Sequence, residues 1–105
     1  MASDKGFLDF ILDQLSYLDG ISWRSMMGEF ILYYRGKVFG GIYDDRFLVK
    51  AVPSAKAMMP DAEPALPYEG AKEMLTVDRV EDREFLKMLV EAMSDDLPAP
   101  KNRKR

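Results

Sequence analysis

Glu29-Phe30-Ile31-Leu32-Tyr33-Tyr34-Arg35-Gly36-Lys37-Val38-Phe39-Gly40-Gly41-Ile42-Tyr43-Asp44-Asp45-Arg46-Phe47-Leu48-Val49-Lys50 decides the fold. Three runs of aromatic and β-branched residues are separated by Arg35-Gly36 and Asp44-Asp45. Such runs, broken by two-residue turn signals, read as consecutive hairpins. Glycine enters the left-handed region without steric cost, and aspartate tolerates it better than most residues. The stretch is therefore expected to be an antiparallel meander.

Two-residue loops set a register. Tyr34 is expected opposite Lys37, Leu32 opposite Phe39 and Phe30 opposite Gly41. In the second hairpin Tyr43 is expected opposite Arg46 and Gly41 opposite Leu48. Opposed residues share a face. One face then carries Ile31, Tyr33, Val38, Ile42, Phe47 and Val49, and its apolar character assigns it to the core. The other carries Phe30, Leu32, Tyr34, Phe39, Tyr43 and Leu48 with Lys37, Arg46 and Lys50. This second face is too apolar for bare solvent and needs a helix, a second subunit or a partner over it, in that order of preference. A bulge at Gly36 would upset the sorting.

Upstream, Phe7, Leu8, Ile11, Leu12, Leu15 and Leu18 recur at helical spacing, with Ser3 or Asp4 as cap and Asp19-Gly20 as stop. Ile21–Met27 alternates in part and reads as a first strand ending at Gly28, with Arg24 projecting opposite to Trp23. Downstream, Ser54 is expected to cap a short helix over Ala55–Met59, which Pro60 ends. Residues 61–70 read as a loop, Glu73–Val77 as a strand, and Asp82–Ser94 as a helix with the stripe Phe85, Leu86, Leu89, Val90 and Met93. The fold class is α+β. Residues 1–97 form one domain, and residues 98–105 form a basic tail expected to be disordered.

Composition narrows the chemistry. The 105-residue chain has no cysteine and no histidine. There is no disulfide framework, no thiol nucleophile and no imidazole base or ligand, so zinc and other cofactors are not expected. The N-terminus lacks the basic-then-apolar order of a secretory signal, and no apolar run approaches the roughly 20 residues that span a bilayer. A cytoplasmic protein without membrane contact is the expectation. Positions 1–100 carry a net charge of −7 and the tail Lys101–Arg105 adds +4. An acidic body disfavours broad nucleic-acid binding, because phosphate contacts supply most of that affinity.

Several features invite functional readings. Trp23 with Arg24 is either a binding pair or a core tryptophan beside a surface arginine, and tryptophan's usual burial favours the second. The methionines are either a plastic binding surface or core filler, with filler the commoner use. Asp44-Asp45 is explained by turn chemistry and not by acid–base work. Gly40-Gly41 lacks the context of a phosphate loop and more simply makes room on the sheet. The sharpest candidate is a mixed aromatic–basic face of Tyr34, Phe39 and Tyr43 with Lys37, Arg46 and Lys50. Aromatics of this kind stack on bases while cations follow phosphates. The tail residues Lys101, Arg103, Lys104 and Arg105 would extend such a surface, or simply solubilise the terminus.

Three segments carry a resemblance. Arg24-Ser25-Met26-Met27-Gly28 is similar to Arg-x-Met-Phe/Met-Gly. Gly36–Lys50 is similar to Gly-x-x-Phe-(small)-x-(apolar)-x-Asp-x-x-(apolar)-Tyr/Phe-(apolar)-Lys. Pro67-Tyr68-Glu69-Gly70 is similar to a Pro-(x)-Tyr stretch before a last strand. In this order and spacing, the sequence over roughly residues 5 to 97 resembles the TfoX/Sxy N-terminal domain family, named for regulators of natural competence. The resemblance implies a secretion-chaperone-like order of helix, three-stranded meander, helix, strands and helix. The residue-by-residue reading adds a strand at Arg46–Lys50. It also implies a regulatory, protein-binding role and no catalysis. Only the tail follows residue 97, so the expectation is a standalone domain and not a two-domain coactivator. The expected partner is a protein, a second copy included. The contrasting expectation is a single-stranded nucleic-acid binder using the aromatic–basic face and the tail.

Overall fold

Three two-residue turns, each with both central residues left-handed, build the sheet. Met27 and Gly28 have φ of 52° and 85°, Arg35 and Gly36 have 52° and 84°, and Asp44 and Asp45 have 53° and 57°. This is the type I′ geometry, whose twist matches that of the flanking strands. The turns join β1 (Ile21–Met26), β2 (Glu29–Tyr34), β3 (Lys37–Tyr43) and β4 (Arg46–Lys50). The computed structural model describes residues 5–67 and 70–97. The expected caps Ser3 and Asp4, residues Tyr68 and Glu69, and the tail 98–105 lie outside the described residues.

Around the meander stand α1 (Lys5–Gln14), α2 (Pro53–Met58), the two-residue β5 (Pro64–Ala65), β6 (Met74–Thr76) and α3 (Arg83–Ser94). The six strands are ordered β1-β2-β3-β4-β6-β5, and every neighbouring pair is antiparallel. The expected α+β architecture is the observed one. The sequence reading passed over β5, whose two residues begin with a proline.

The register departs from the regular ladder at one point. Tyr34 faces Lys37, Tyr43 faces Arg46 and Gly41 faces Leu48, as expected. Leu32 faces Gly40 instead of Phe39, however, and Phe30 faces Ile42 instead of Gly41. The shift lies between Leu32 and Tyr33, which makes Phe39 the extra residue of a β-bulge. The bulge is at Phe39 and not at Gly36. Gly40 permits it: a Cβ there would collide with the Leu48 carbonyl oxygen and lie 2.9 Å from the Val49 Cα.

A one-residue slip exchanges the faces of everything beyond it. The core is accordingly built from Phe30, Leu32, Tyr34 and Phe39 together with Ile42, Phe47 and Val49. All three helices supply the opposing layer of this core, through Leu8 and Ile11, through Ala55, and through Leu86, Leu89, Val90 and Met93, with Leu15 just past α1 adding to it. Phe39 and Phe47 meet edge to face with centroids 6.4 Å apart. The assignment of Ile31, Tyr33 and Val38 to the core is thus corrected; they are only half-buried and stand on the other face. The preferred helix cover for Phe30, Leu32 and Phe39 is realised. A subunit contact through those residues is excluded, because they are 8%, 0% and 0% exposed.

Helix ends follow local chemistry. Asp82 caps α3 by accepting a hydrogen bond from the Phe85 amide at 3.0 Å. The expected Ser54 cap is not formed. Val52 is the N-cap of α2, Pro53 opens its first turn, and Asp96 accepts from the Ser54 amide at 2.9 Å. The cap is therefore supplied from beyond the end of α3. α1 ends at Gln14, short of the Asp19-Gly20 signal, and residues 15–20 continue as turns. The buried Gln14 explains part of this region. Its Nε2 donates to the Val80 carbonyl at 2.8 Å, its Oε1 accepts from Arg83 Nε at 3.1 Å, and Arg83 also reaches Asp13 at 2.6 Å.

Candidate functional site

The bulge divides the aromatic–basic constellation between the two faces. Phe39 is fully buried and Tyr34 nearly so, both under helices. Lys37 shares their face, and its Nζ donates to the Ser94 carbonyl at 2.9 Å. A cation at a helix C-terminus satisfies a carbonyl that the helix leaves unpaired and complements the dipole. Lys37 is thus committed to α3. Tyr43, Arg46 and Lys50 stand on the opposite face. The expected stacking platform is not assembled, because Tyr34, Phe39 and Tyr43 are all buried and are divided between the two faces.

Trp23 and Arg24 point to opposite faces, as the alternation of β1 requires. Trp23 is opposite Leu32 and meets the Phe30 ring edge-on at 5.6 Å. The Lys5 ammonium lies over the Trp23 ring, 5.6 Å from the centroid. The tryptophan still exposes 38% of its surface, so the expected core position is corrected to an edge position. Arg24 is opposite Ile31 and exposed. The methionines divide between both readings: Met74 and Met93 are buried, while Met26, Met27 and Met88 are exposed.

Among the described residues no helix packs on the other face of the sheet. On it, Met26, Ile31, Val38, Tyr43, Lys50 and Met74 contribute to a groove of about 560 Å³. Tyr43, Leu48 and Met74 form a small second cluster beneath it, with Ala65 packed alongside. Gly41 makes space for Tyr43: a Cβ there would lie 2.6 Å from the ring. Arg46 donates to the Tyr43 carbonyl at 3.3 Å and to the Leu66 carbonyl at 3.4 Å. Lys72 and Glu73 stand on the rim. Lys50, Lys72 and Glu73 are the charged residues that line the groove.

Ile31, Val38 and Lys72 were missed as surface residues by the sequence reading. The first two were placed in the core by an unbulged ladder. The available signal was Gly40-Gly41 directly after Phe39, since paired glycines in a strand mark a bulge or a close backbone approach. Among the described residues no three acidic side chains are grouped to hold a metal ion. Asp82 is the described group whose acidity clearly departs from the ordinary. Its amide hydrogen bond from Phe85, then Arg79, hold it below the usual carboxylate value. The first partner is that of a helix cap, and the second is an exposed ion pair. Among the described residues no helix is long and apolar enough to cross a membrane.

The TfoX N-terminal domain model matches residues 13–96, most of the chain. The chain belongs to the TfoX N-terminal domain family. It is also similar to a Spirochaeta aurantia protein described as an "Uncharacterized 12.7 kDa protein in trpE 5'region". The two are 33% identical over 105 residues, covering 99% of this chain and 91% of the relative. No solved structure matches the chain significantly. Within this TfoX N-terminal domain, the matched span takes in the whole meander, the groove residues and all of the described C-terminal segment but Leu97. The family motif Arg24–Gly28 falls on β1 and the first turn. The longer motif from Gly36 falls on β3, the bulge and β4.

Proposed function

We propose that this TfoX N-terminal domain is a non-enzymatic regulatory module that binds a protein partner through the uncovered face of its sheet. The observation that carries the reading is one-sided cover: every helix packs on the Phe30/Leu32/Phe39 face, which leaves half-buried Ile31, Tyr33 and Val38 beside a groove. Apolar surface grouped around a groove and rimmed by charge is the usual form of a protein-binding site. The partner's chemistry follows from the lining. An apolar segment flanked by acidic residues would seat on Ile31, Val38 and Met74 and meet Arg24, Lys50 and Lys72. A cytoplasmic setting, expected from the sequence, is part of the same proposal. Nucleic-acid binding loses its main support with the burial of Phe39 and Tyr34.

The test is affinity capture from the native cell extract after nuclease treatment, with the unaltered chain and a Val38→Glu chain as baits. Val38→Glu places a charge on the groove floor without touching the helix-packed core. Circular dichroism confirms that the variant is folded. A protein retained by the unaltered chain and reduced at least tenfold by Val38→Glu is the expected result. Capture that vanishes with nuclease, or that Val38→Glu leaves unchanged, would sink the proposal.

A further inference from the structure

The two edges of the sheet are treated differently. β5 closes one edge with two residues, the first of them Pro64, which has no amide to donate. β1 closes the other edge with six residues, no proline and a single charge, Arg24. Five of its six residues are exposed, and Trp23 and Met26 carry apolar surface at this edge, 38% and 42% exposed. A long edge strand without these defences is a template for strand addition.

From this edge we infer that two copies of the chain pair through β1, antiparallel and centred on Trp23, to make one continuous twelve-stranded sheet. This goes beyond the partner-binding reading and uses the sheet's edge instead of its uncovered face.

The hydrogen-bond pattern fixes which groups are available. Met26 and Glu29 flank a two-residue turn and face each other, so they form a hydrogen-bonded pair. Such pairs alternate along an antiparallel ladder. Arg24 and Ser22 therefore direct their amide and carbonyl toward β2, while Ile21, Trp23 and Ser25 direct theirs outward.

Two registers bring outward groups together over most of the strand. Centring on Arg24 would set Arg24 against its own copy, a like-charge pair directly opposed. Centring on Trp23 sets Trp23 against Trp23, Ile21 against Ser25 and Arg24 against Ser22. That register joins all three outward residues on each copy and opposes no like charges. It also stacks apolar surface at the axis, where Trp23 has an exposed flank to bury. The two-fold axis is perpendicular to the sheet, so both helical layers lie on the same side. Lys5 over Trp23 shows that α1 reaches this edge. Strand pairing alone buries less than the roughly 800 Å² per partner of a standard interface, so the association is concentration-dependent and not obligate.

The sequence contains no cysteine, which makes a direct test simple. Opposed residues of a hydrogen-bonded antiparallel pair have Cα atoms about 5.5 Å apart, within disulfide range. Under mild oxidation, Trp23→Cys is expected to give a disulfide-linked dimer, and Arg24→Cys at least tenfold less. Sedimentation of the unaltered chain is expected to show a monomer–dimer equilibrium. Ser25→Pro removes an outward amide without breaking a β1–β2 bond, so it should weaken dimerisation at least tenfold while circular dichroism stays unchanged. A monomer at every concentration, a dimer indifferent to Ser25→Pro, or equal cross-linking at positions 23 and 24 would each overturn the inference.

Discussion

Met27 is the residue at which sequence and local structure are most at odds. Its φ of 52° lies in the left-handed region, and its side chain is 95% exposed. Methionine pays a steric cost there that asparagine largely avoids. Met27→Asn is expected to stabilise the domain by about 0.5–1 kcal/mol, read as a rise in the denaturation midpoint at constant slope. A fall in the midpoint would mean that Met27 makes a contact the fold needs. Residue chemistry also shows why the candidate site was only half legible. Lys37, Arg46 and Lys50 were recognised as cations on strands. Which face each one joins depends on Phe39, and nothing in a hydrophobic pattern announces that a phenylalanine is the extra residue of a bulge. Gly40 carried that information as a missing side chain.

At the scale of elements, sequence patterns served the helices and hairpins well. The stripe Phe85, Leu86, Leu89, Val90 and Met93 is the buried face of α3, as its spacing predicts. The turns Arg35-Gly36 and Asp44-Asp45 fall where their composition puts them. The α2 cap was hidden because Asp96 lies 42 positions from Ser54 and reaches it only after α3 has packed. No local window contains that information. The α3 cap is local and makes a pH-dependent prediction. Asp82 has a lowered folded-state pKa, so its stabilisation is present above the ordinary value near 3.8 and is lost as the pH falls through the folded value. Asp82→Ala should lower the melting temperature at neutral pH, and the difference from the unaltered domain should narrow below about pH 3.8. A difference independent of pH would show that the carboxylate charge contributes nothing to the cap.

For the whole molecule, the sheet is the organising body and its cover is lopsided. Helices from both ends of the described chain converge on one face, tied by Arg83 to Asp13 and Gln14. Among the described residues no helix packs on the opposite face. The three two-residue turns have a further consequence, in time. Within β1 to β4 each strand pairs with its sequence neighbour, and each of the three hairpins closes the shortest loop a hairpin allows. Local closure of this kind takes microseconds, whereas α1, β6 and α3 must find partners far along the chain. The meander is therefore expected to be the folding nucleus. In a denaturant chevron, Val49→Ala in β4 should mainly slow folding, and Leu89→Ala in α3 should mainly speed unfolding. The reverse partition would place the nucleus among the helices. If the meander does form first, its apolar face is exposed before the helices arrive, and the nascent domain is most vulnerable to misassociation during that interval.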